Sequence, residues 1–347
     1  QGRPSAMTTP EWTTALPDWE DRIVKGQSIL PTGPLFPEVA EEALDVFNHL
    51  TLVDAPGGPE KLGTLCRPWV KDIAAAFFGS LDPVTRRRHI TNYFLTVSKK
   101  NGKSSLASAL MLTALITNHR PSAEFIILAP TKEIAEASYK PIRDMIKAEP
   151  ELSDRFHEQW HYKTITDRLN GSVLKVVAAS AESVTGKKAT GIFIDELHEF
   201  GKNPKAAHML TEATGGLASR PEGFVFYCTT QSSDPPAGVF ADKLAYARAV
   251  RDGKIDDKRF LPIIYEFPES WIKAGKHRDL NNAYVTNPNW GLSVDADFLR
   301  QKMLEAEQTG EHAVKDLLSK HMNVQTSMSL RSDRWAGADF WEAAGDP

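Results

Sequence analysis

Residues 93–109 read Y-F-L-T-V-S-K-K-N-G-K-S-S-L-A-S-A, an apolar run of β-formers that enters Gly102-Lys103-Ser104 and continues into sequence rich in Ala and Leu. Strand, loop and helix in that order are what a phosphate site requires. Backbone N–H groups left over at a helix start, added to the helix dipole, hold anions. Lys103 would neutralise the β- and γ-phosphates of a nucleotide, the Ser104 hydroxyl would ligate magnesium, and Gly102 lets the backbone pass close to the phosphates. Ser98, Lys99, Lys100, Asn101 and Ser105 complete the candidate loop. The usual pattern has a further glycine five positions before Gly102, where this chain has Val97, so the segment alone also fits a solvated basic turn ahead of a helix.

Outward from this loop the chain alternates between two periods. Residues 90–97, 124–129, 172–178, 191–195 and 223–229 are near-continuous apolar runs, five strands that fit burial on both faces. Residues 103–117, 132–147 and 237–251 read as helices between or after them, and a further helix starts near Pro68. Such alternation predicts an α/β fold with a mainly parallel sheet flanked by helices. Ahead of it, residues 7–37 read as an extended or loosely packed arm and 39–50 as a helix. Beyond it, the strand-like run 260–267, an Asn- and Pro-rich stretch and an amphipathic helix over 294–307 read as a small C-terminal subdomain. The expected division is 1–7 a tag remnant, 8–66 arm and helix, 67–254 nucleotide-binding core, 255–330 lid or linker, and 331–347 a tail.

Two more strands end in chemistry. Residues 192–196 read I-F-I-D-E, which puts Asp195 and Glu196 at the C-terminal edge of a buried strand, where open α/β sheets bind ligands. Asp195 would hold magnesium and Glu196 would orient or deprotonate the water that attacks the γ-phosphate, although two acids here also suit the start of a helix. Residues 223–231, G-F-V-F-Y-C-T-T-Q, bring Thr229, Thr230 and Gln231 to the same edge, placed to sense the γ-phosphate. Three strand ends with phosphate-type chemistry in this order rarely coincide by chance.

Composition sets the bounds. The chain has 347 residues, of which 41% are hydrophobic and 25% charged, and 41 Lys+Arg against 45 Asp+Glu give a net charge of -4, so any DNA contact needs a local basic face. Two cysteines, Cys66 and Cys228, in no metal-ligand spacing read as buried apolar groups of a reducing compartment. No apolar run reaches the length of a spanning helix, and the expectation is a soluble intracellular protein with no membrane contact.

At this point the chain resembles the large terminase subunit of tailed double-stranded-DNA bacteriophages, a P-loop ATPase of the additional-strand, catalytic-glutamate class. The resemblance is carried by Arg67-Pro68-Trp69, the loop at 98–104, Leu128-Ala129-Pro130-Thr131-Lys132, Ile194-Asp195-Glu196, Thr229-Thr230-Gln231 and Thr286-Asn287-Pro288-Asn289. In that family a loop with basic residues before Asn-Gly-Lys-Ser is usual, so Val97 is no obstacle. The resemblance implies ATP and Mg2+ as cofactors, adenine contacts from Arg67 and Trp69, and coupling by Thr229, Thr230 and Gln231. It also implies double-stranded DNA held by its phosphates, a portal protein and a small terminase subunit as partners, a homo-oligomeric ring when active with a monomer in isolation, and the cytoplasm of the infected host. Trp69 is followed by Val70 where many members have Gln, and the arginine many members offer to a neighbouring subunit is missing; Lys187, Lys188 and Arg220 are the candidate substitutes. Full-length members continue into a nuclease domain, and none is expected here. Two alternatives stand beside this reading. Asp195-Glu196-Leu197-His198 also spells the D-E-x-H box of a superfamily-two helicase, and the chain also suits a nucleotide-binding assembly module with little turnover.

Overall fold

The computed structural model describes residues 11–179 and 189–325. Its centre is an eight-stranded sheet built from β1 (Asn92–Thr96), β2 (Glu124–Ala129), β3 (Phe156–Gln159), β4 (Thr164–Asp167), β5 (Val173–Ala178), β6 (Gly191–Ile194), β7 (Phe224–Thr229) and β8 (Phe260–Ile264). The order across the sheet is β8-β1-β7-β6-β2-β5-β4-β3. Neighbours from β8 through β5 run parallel, and β4 and β3 close one edge as an antiparallel hairpin.

Alternation of side chains along each strand splits the apolar runs between two cores. Tyr93, Leu95, Phe193, Phe226 and Cys228 enter one, together with helices α1 (Pro37–His49), α2 (Pro68–Phe78), α3 (Lys103–Ile116) and α4 (Lys132–Ala148). Phe94, Ile192, Ile194, Val225 and Tyr227 enter the other, under α5 (Gly238–Arg251). The rings of Tyr93, Phe226 and Phe193 stack from β1 across β7 to β6, with centroids 5.6 and 5.0 Å apart. Each such ring contributes roughly 1.5–3 kcal/mol by burial, so the strands that carry the polar tips are locked side by side by aromatic packing. Gly191 opens β6 because a Cβ there would lie 2.4 Å from the Phe224 ring.

The structure moves three sequence expectations. Phe260–Ile264, read as part of a C-terminal subdomain, pairs in parallel with β1 and is an edge strand of the main sheet. An apolar pentapeptide buried on both faces carries no mark of which sheet it joins. The arm is not loose: Leu16, Trp19 and Ile23 are buried, Leu16 N donates to Arg251 O at 2.7 Å, and the Arg251 guanidinium lies 3.8 Å from the Trp19 ring centre. Cys228 is buried as expected, whereas Cys66 is only half-buried, and burial raises its thiol pKa to about 11. Helices α6 (Ala296–Thr309) and α7 (Glu311–His321) follow β8, and the second has no counterpart in the sequence reading. No described helix is long and apolar enough to cross a membrane.

Candidate active site

Strand β1 runs out through Val97 and Ser98 into a loop whose backbone turns left-handed twice, at Lys100 (φ 69) and Gly102 (φ 79). Glycine takes that conformation freely, and at Lys100 it costs about 1–2 kcal/mol. Val97 is fully buried, its N–H donates to Thr229 O at 3.2 Å, and its φ is not positive, so this loop needs no glycine there. Helix α3 starts at Lys103, and the first N–H to bond back, that of Leu106, reaches Gly102 O at 2.9 Å. The N–H groups of Lys103, Ser104 and Ser105 therefore face out of the helix end as an anion cradle. Lys103 is 6% exposed, with its ammonium 3.5 Å from Ser98 O, while the Ser98 hydroxyl is buried without a partner.

Two strands away, β6 ends in Asp195 and Glu196. Asp195 is buried, with Oδ1 accepting from Glu196 N at 3.0 Å and Oδ2 lying 3.0 Å from the Ser138 hydroxyl on α4. Burial first, and the neighbouring Glu196 charge second, push its pKa up to about 6. Burial also opposes the charge on Glu196, but Lys103, His198 and Lys99 outweigh it and hold that pKa below the usual carboxylate range. Glu196 takes φ 50, left-handed for a residue with a long side chain. Strain of this kind concentrates where a side chain must be aimed. His198 braces it: Nδ1 lies 3.2 Å from Glu196 Oε2 and 3.1 Å from Thr229 Oγ1, and Nε2 lies 3.1 Å from Glu199 Oε1. Burial lowers the imidazole pKa, the two carboxylates raise it further, and the net direction is up.

Between these two sets stands the end of β7. The Thr230 hydroxyl and both ends of the Gln231 amide are buried without hydrogen-bond partners. Cys228, just below, feels the charges of Asp195, Lys103 and Glu196 together, which puts all three groups around this strand tip. An edge with orphaned buried hydroxyl and amide groups, an ammonium and a carboxylate lifted by burial has the partners a polyanion with a divalent cation needs. The donor set fits both. Ser104 and Asp195 are the residues suited to the cation.

Asparagines fasten the loop to the C-terminal part. Asn101 Nδ2 donates to Asn287 Oδ1 at 2.8 Å and Asn289 N donates to Asn101 Oδ1 at 3.0 Å. Arg67 and Trp69 stand beside this clamp, with Arg67 Nη1 donating to Pro288 O at 3.0 Å and Trp69 Nε1 to Asn289 Oδ1 at 2.9 Å. Their N–H donors thus serve the clamp, and the indole keeps a ring face for other contacts. Asn323, left-handed at φ 50, donates from Nδ2 to Thr96 Oγ1 and Tyr265 O at 3.1 and 2.6 Å, and accepts from Gln231 N at 2.8 Å. Sequence reasoning missed Ser138, Asn323 and the bracing role of His198. Only the D-E-x-H spacing hinted at the last.

Of the three candidate trans-acting cations, Arg220 precedes β7 at the opposite edge of the sheet from Lys103, and Lys187 and Lys188 lie outside the described residues. No group of three or more His, Cys, Asp or Glu suited to a metal occurs among the described residues.

A loop–helix anion cradle on β1, acids on β6 and a polar strand β7 between them define a P-loop NTPase of the additional-strand, catalytic-glutamate class. The family model for the terminase large subunit, ATPase domain, matches residues 68–248, and the chain belongs to that family. The large terminase of bacteriophage HK97 shares the fold, with a TM-score of 0.68 at 16% identity over 82% of this chain and 55% of that one. This chain therefore spans about half the length of that protein. The large terminase ATPase domain of Thermus phage P74-26 matches with a TM-score of 0.46 at 12% identity, over 70% of this chain and 92% of that one. No curated protein matches the sequence significantly. The family match favours the terminase ATPase domain over the helicase expectation.

Proposed function

We propose that this chain binds ATP at the β1–β7–β6 edge and hydrolyses it to drive double-stranded DNA into a viral procapsid. The observation that carries the reading is the convergence of Lys103, the Asp195–Glu196 pair and the unpartnered Thr230 and Gln231 groups on three adjacent strand tips.

Lys103 and the N–H groups that open α3 hold the β- and γ-phosphates. Ser104 and Asp195 hold Mg2+, which neutralises charge that develops on the phosphates. Glu196, kept ionised by Lys103, His198 and Lys99, accepts a hydrogen bond from the attacking water and then its proton. The water oxygen bonds to the γ-phosphorus as the bond to the bridging oxygen breaks, and the electron pair leaves with ADP. Thr229, Thr230 and Gln231 register the loss of the γ-phosphate. Asn323 links Gln231 to β1 and β8, and Asn287 and Asn289 link the loop to the C-terminal part, so strain at the site reaches that part through hydrogen bonds. The moving body begins after Phe267, because β8 belongs to the sheet.

Arg67 and Trp69 flank adenine through the guanidinium stem and the indole face. A cation from a neighbouring copy completes the site, so activity rises on assembly into a ring at the portal protein, with a small terminase subunit delivering the DNA. The setting is the cytoplasm of the infected host. The test is the ATPase rate against protein concentration, with and without duplex DNA and portal, for wild type and Glu196→Gln. Equal rates in the two proteins, or wild-type turnover indifferent to all three additions, would remove the motor reading.

A further inference from the structure

The edge of the sheet opposite the phosphate loop is unusually basic. The turns that enter β8, β1 and β7, neighbours in the sheet, deliver Lys258 and Arg259, Arg87 and Arg88, and Arg220. Together with Trp12 and His89 they line a cavity of about 720 Å³ that has no Asp or Glu in its wall.

Only part of this charge is countered within the chain: His89 Nε2 lies 3.9 Å from Asp82 Oδ2, and Arg220 and Glu222 feel each other's charge. Arg88 is structural, since it is buried and donates to Glu222 O at 3.0 Å and to Ser80 Oγ at 2.8 Å. The side chains of Arg87, Arg220, Lys258 and Arg259 make no ion pair and no hydrogen bond among the described residues, and Arg220 Nε is buried with no partner at all. Nearby carboxylates are mostly shared with other groups: Asp82 caps the turn at Val84 and Thr85 as well as facing His89, Glu222 pairs with Arg120, and Asp257 accepts from Tyr246 and from Arg259 N, while Asp256 is exposed outside the wall. The wall itself still carries five Arg and Lys side chains and no acid. A solvated face of ordinary composition mixes both signs. A desolvated, unpaired guanidinium nitrogen in an acid-free wall instead fits an anion, and arginines favour phosphate through paired N–H donors. None of the lining residues is an exposed large apolar side chain of the kind that anchors a protein partner.

We propose that this edge holds the phosphate backbone of duplex DNA, on the sheet end away from ATP. The inference rests on the packaging reading above and adds where the duplex lies. Contacts of this type ignore base sequence, and each phosphate neutralised adds a step to the salt dependence of binding.

The test uses the full chain and the triple variant Arg87→Gln, Lys258→Gln, Arg259→Gln, in which every altered residue is exposed. Anisotropy of a labelled duplex is titrated at several salt concentrations, and a fluorescent ATP analogue is titrated in parallel. The variant should bind the analogue as wild type does, lose roughly tenfold or more in duplex affinity, and show a log–log salt slope shallower by roughly 0.9 per contact removed. Wild type that binds no duplex at all overturns the packaging reading together with the site. Wild type that binds duplex with a variant of equal affinity and slope overturns only the location. A wild-type preference for polyglutamate over duplex, lost in the variant, also overturns the assignment and gives the edge to an acidic protein partner.

Discussion

Asn101 Nδ2 sits 2.8 Å from Asn287 Oδ1, so the phosphate loop is tied to a segment 186 residues further along the chain. Both side chains are buried, and Asn287 also donates to Ala283 O and His321 O, each at 2.9 Å. With the loop holding nucleotide as proposed, affinity is expected to depend on residues outside that loop.

Asn287→Ala is expected to cost about 1–3 kcal/mol, because it deletes the bond from Asn101 and takes a side-chain donor from the Ala283 and His321 carbonyls. It should also weaken ATP binding several-fold, since the loop loses one of the two bonds that tie the Asn101 side chain to the C-terminal segment. Chemical denaturation and titration with a fluorescent ATP analogue measure the two effects separately. A variant that loses stability yet binds the analogue normally would reduce the clamp to a structural contact.

Glu196 combines a left-handed backbone with a carboxylate held down by cations. Glu196→Gln should keep ATP affinity within a few-fold and slow hydrolysis by roughly 10²–10⁴. The backbone gives an independent check. Glu196→Gly should be more stable than Glu196→Ala by about 1 kcal/mol, because glycine adopts φ 50 without strain. Equal stability of those two would mean that the loop relaxes away from this conformation.

What the sequence made legible was local chemistry. The tips Gly102-Lys103-Ser104, Asp195-Glu196 and Thr229-Thr230-Gln231 each follow an apolar run, and a run ending in polar residues declares its own strand end. Of the strand arrangement, only the chain separation was legible: the 92 positions from Lys103 to Asp195 leave room for other strand–helix units, whereas the strand that lies between β1 and β6 in the sheet is the later β7. Partners far apart in the chain were not legible. Asn323 meets Thr96 across 227 positions, and nothing in its neighbours distinguishes it from a solvated loop asparagine. The hairpin β3–β4 was missed because His157, Glu158 and Gln159 break the apolar signal, with Phe156 and Ile165 as the buried pins. Leu16, Trp19 and Ile23 did carry helical spacing, but the short run sits among prolines and threonines that suggest an open arm.

Asn323 reads the end of β7 through Gln231 N, and its two donors bind Thr96 and Tyr265. Asn323→Gly keeps the left-handed backbone and deletes every side-chain bond; Asn323→Asp keeps the acceptor and deletes the donors. Both should retain ATP binding, and both should lose DNA-stimulated turnover more than basal turnover, if strain leaves the γ-phosphate sensor by this route. Proportional loss of the two rates in both variants would show that Asn323 only supports the fold.

The arm is held by charge as well as by packing. Glu266 accepts from Arg251 Nη1 and from Arg248 Nη2, both at 2.5 Å, and Arg251 lies over Trp19 while its carbonyl takes the Leu16 N–H. Arg251 is 5% exposed and also pairs with Asp252 at 2.9 Å, so removing Glu266 leaves a buried guanidinium with one of its two carboxylates. Glu266→Ala is therefore expected to destabilise by about 1.5–3 kcal/mol, and Trp19→Ala, which deletes a core ring, by about 3–5 kcal/mol. The double variant should fall short of the sum, because both substitutions release the same arm. Limited proteolysis in the first 30 residues should accelerate in each single variant. Full additivity, or cleavage no faster than in wild type, would mean that the ion network and the arm are independent.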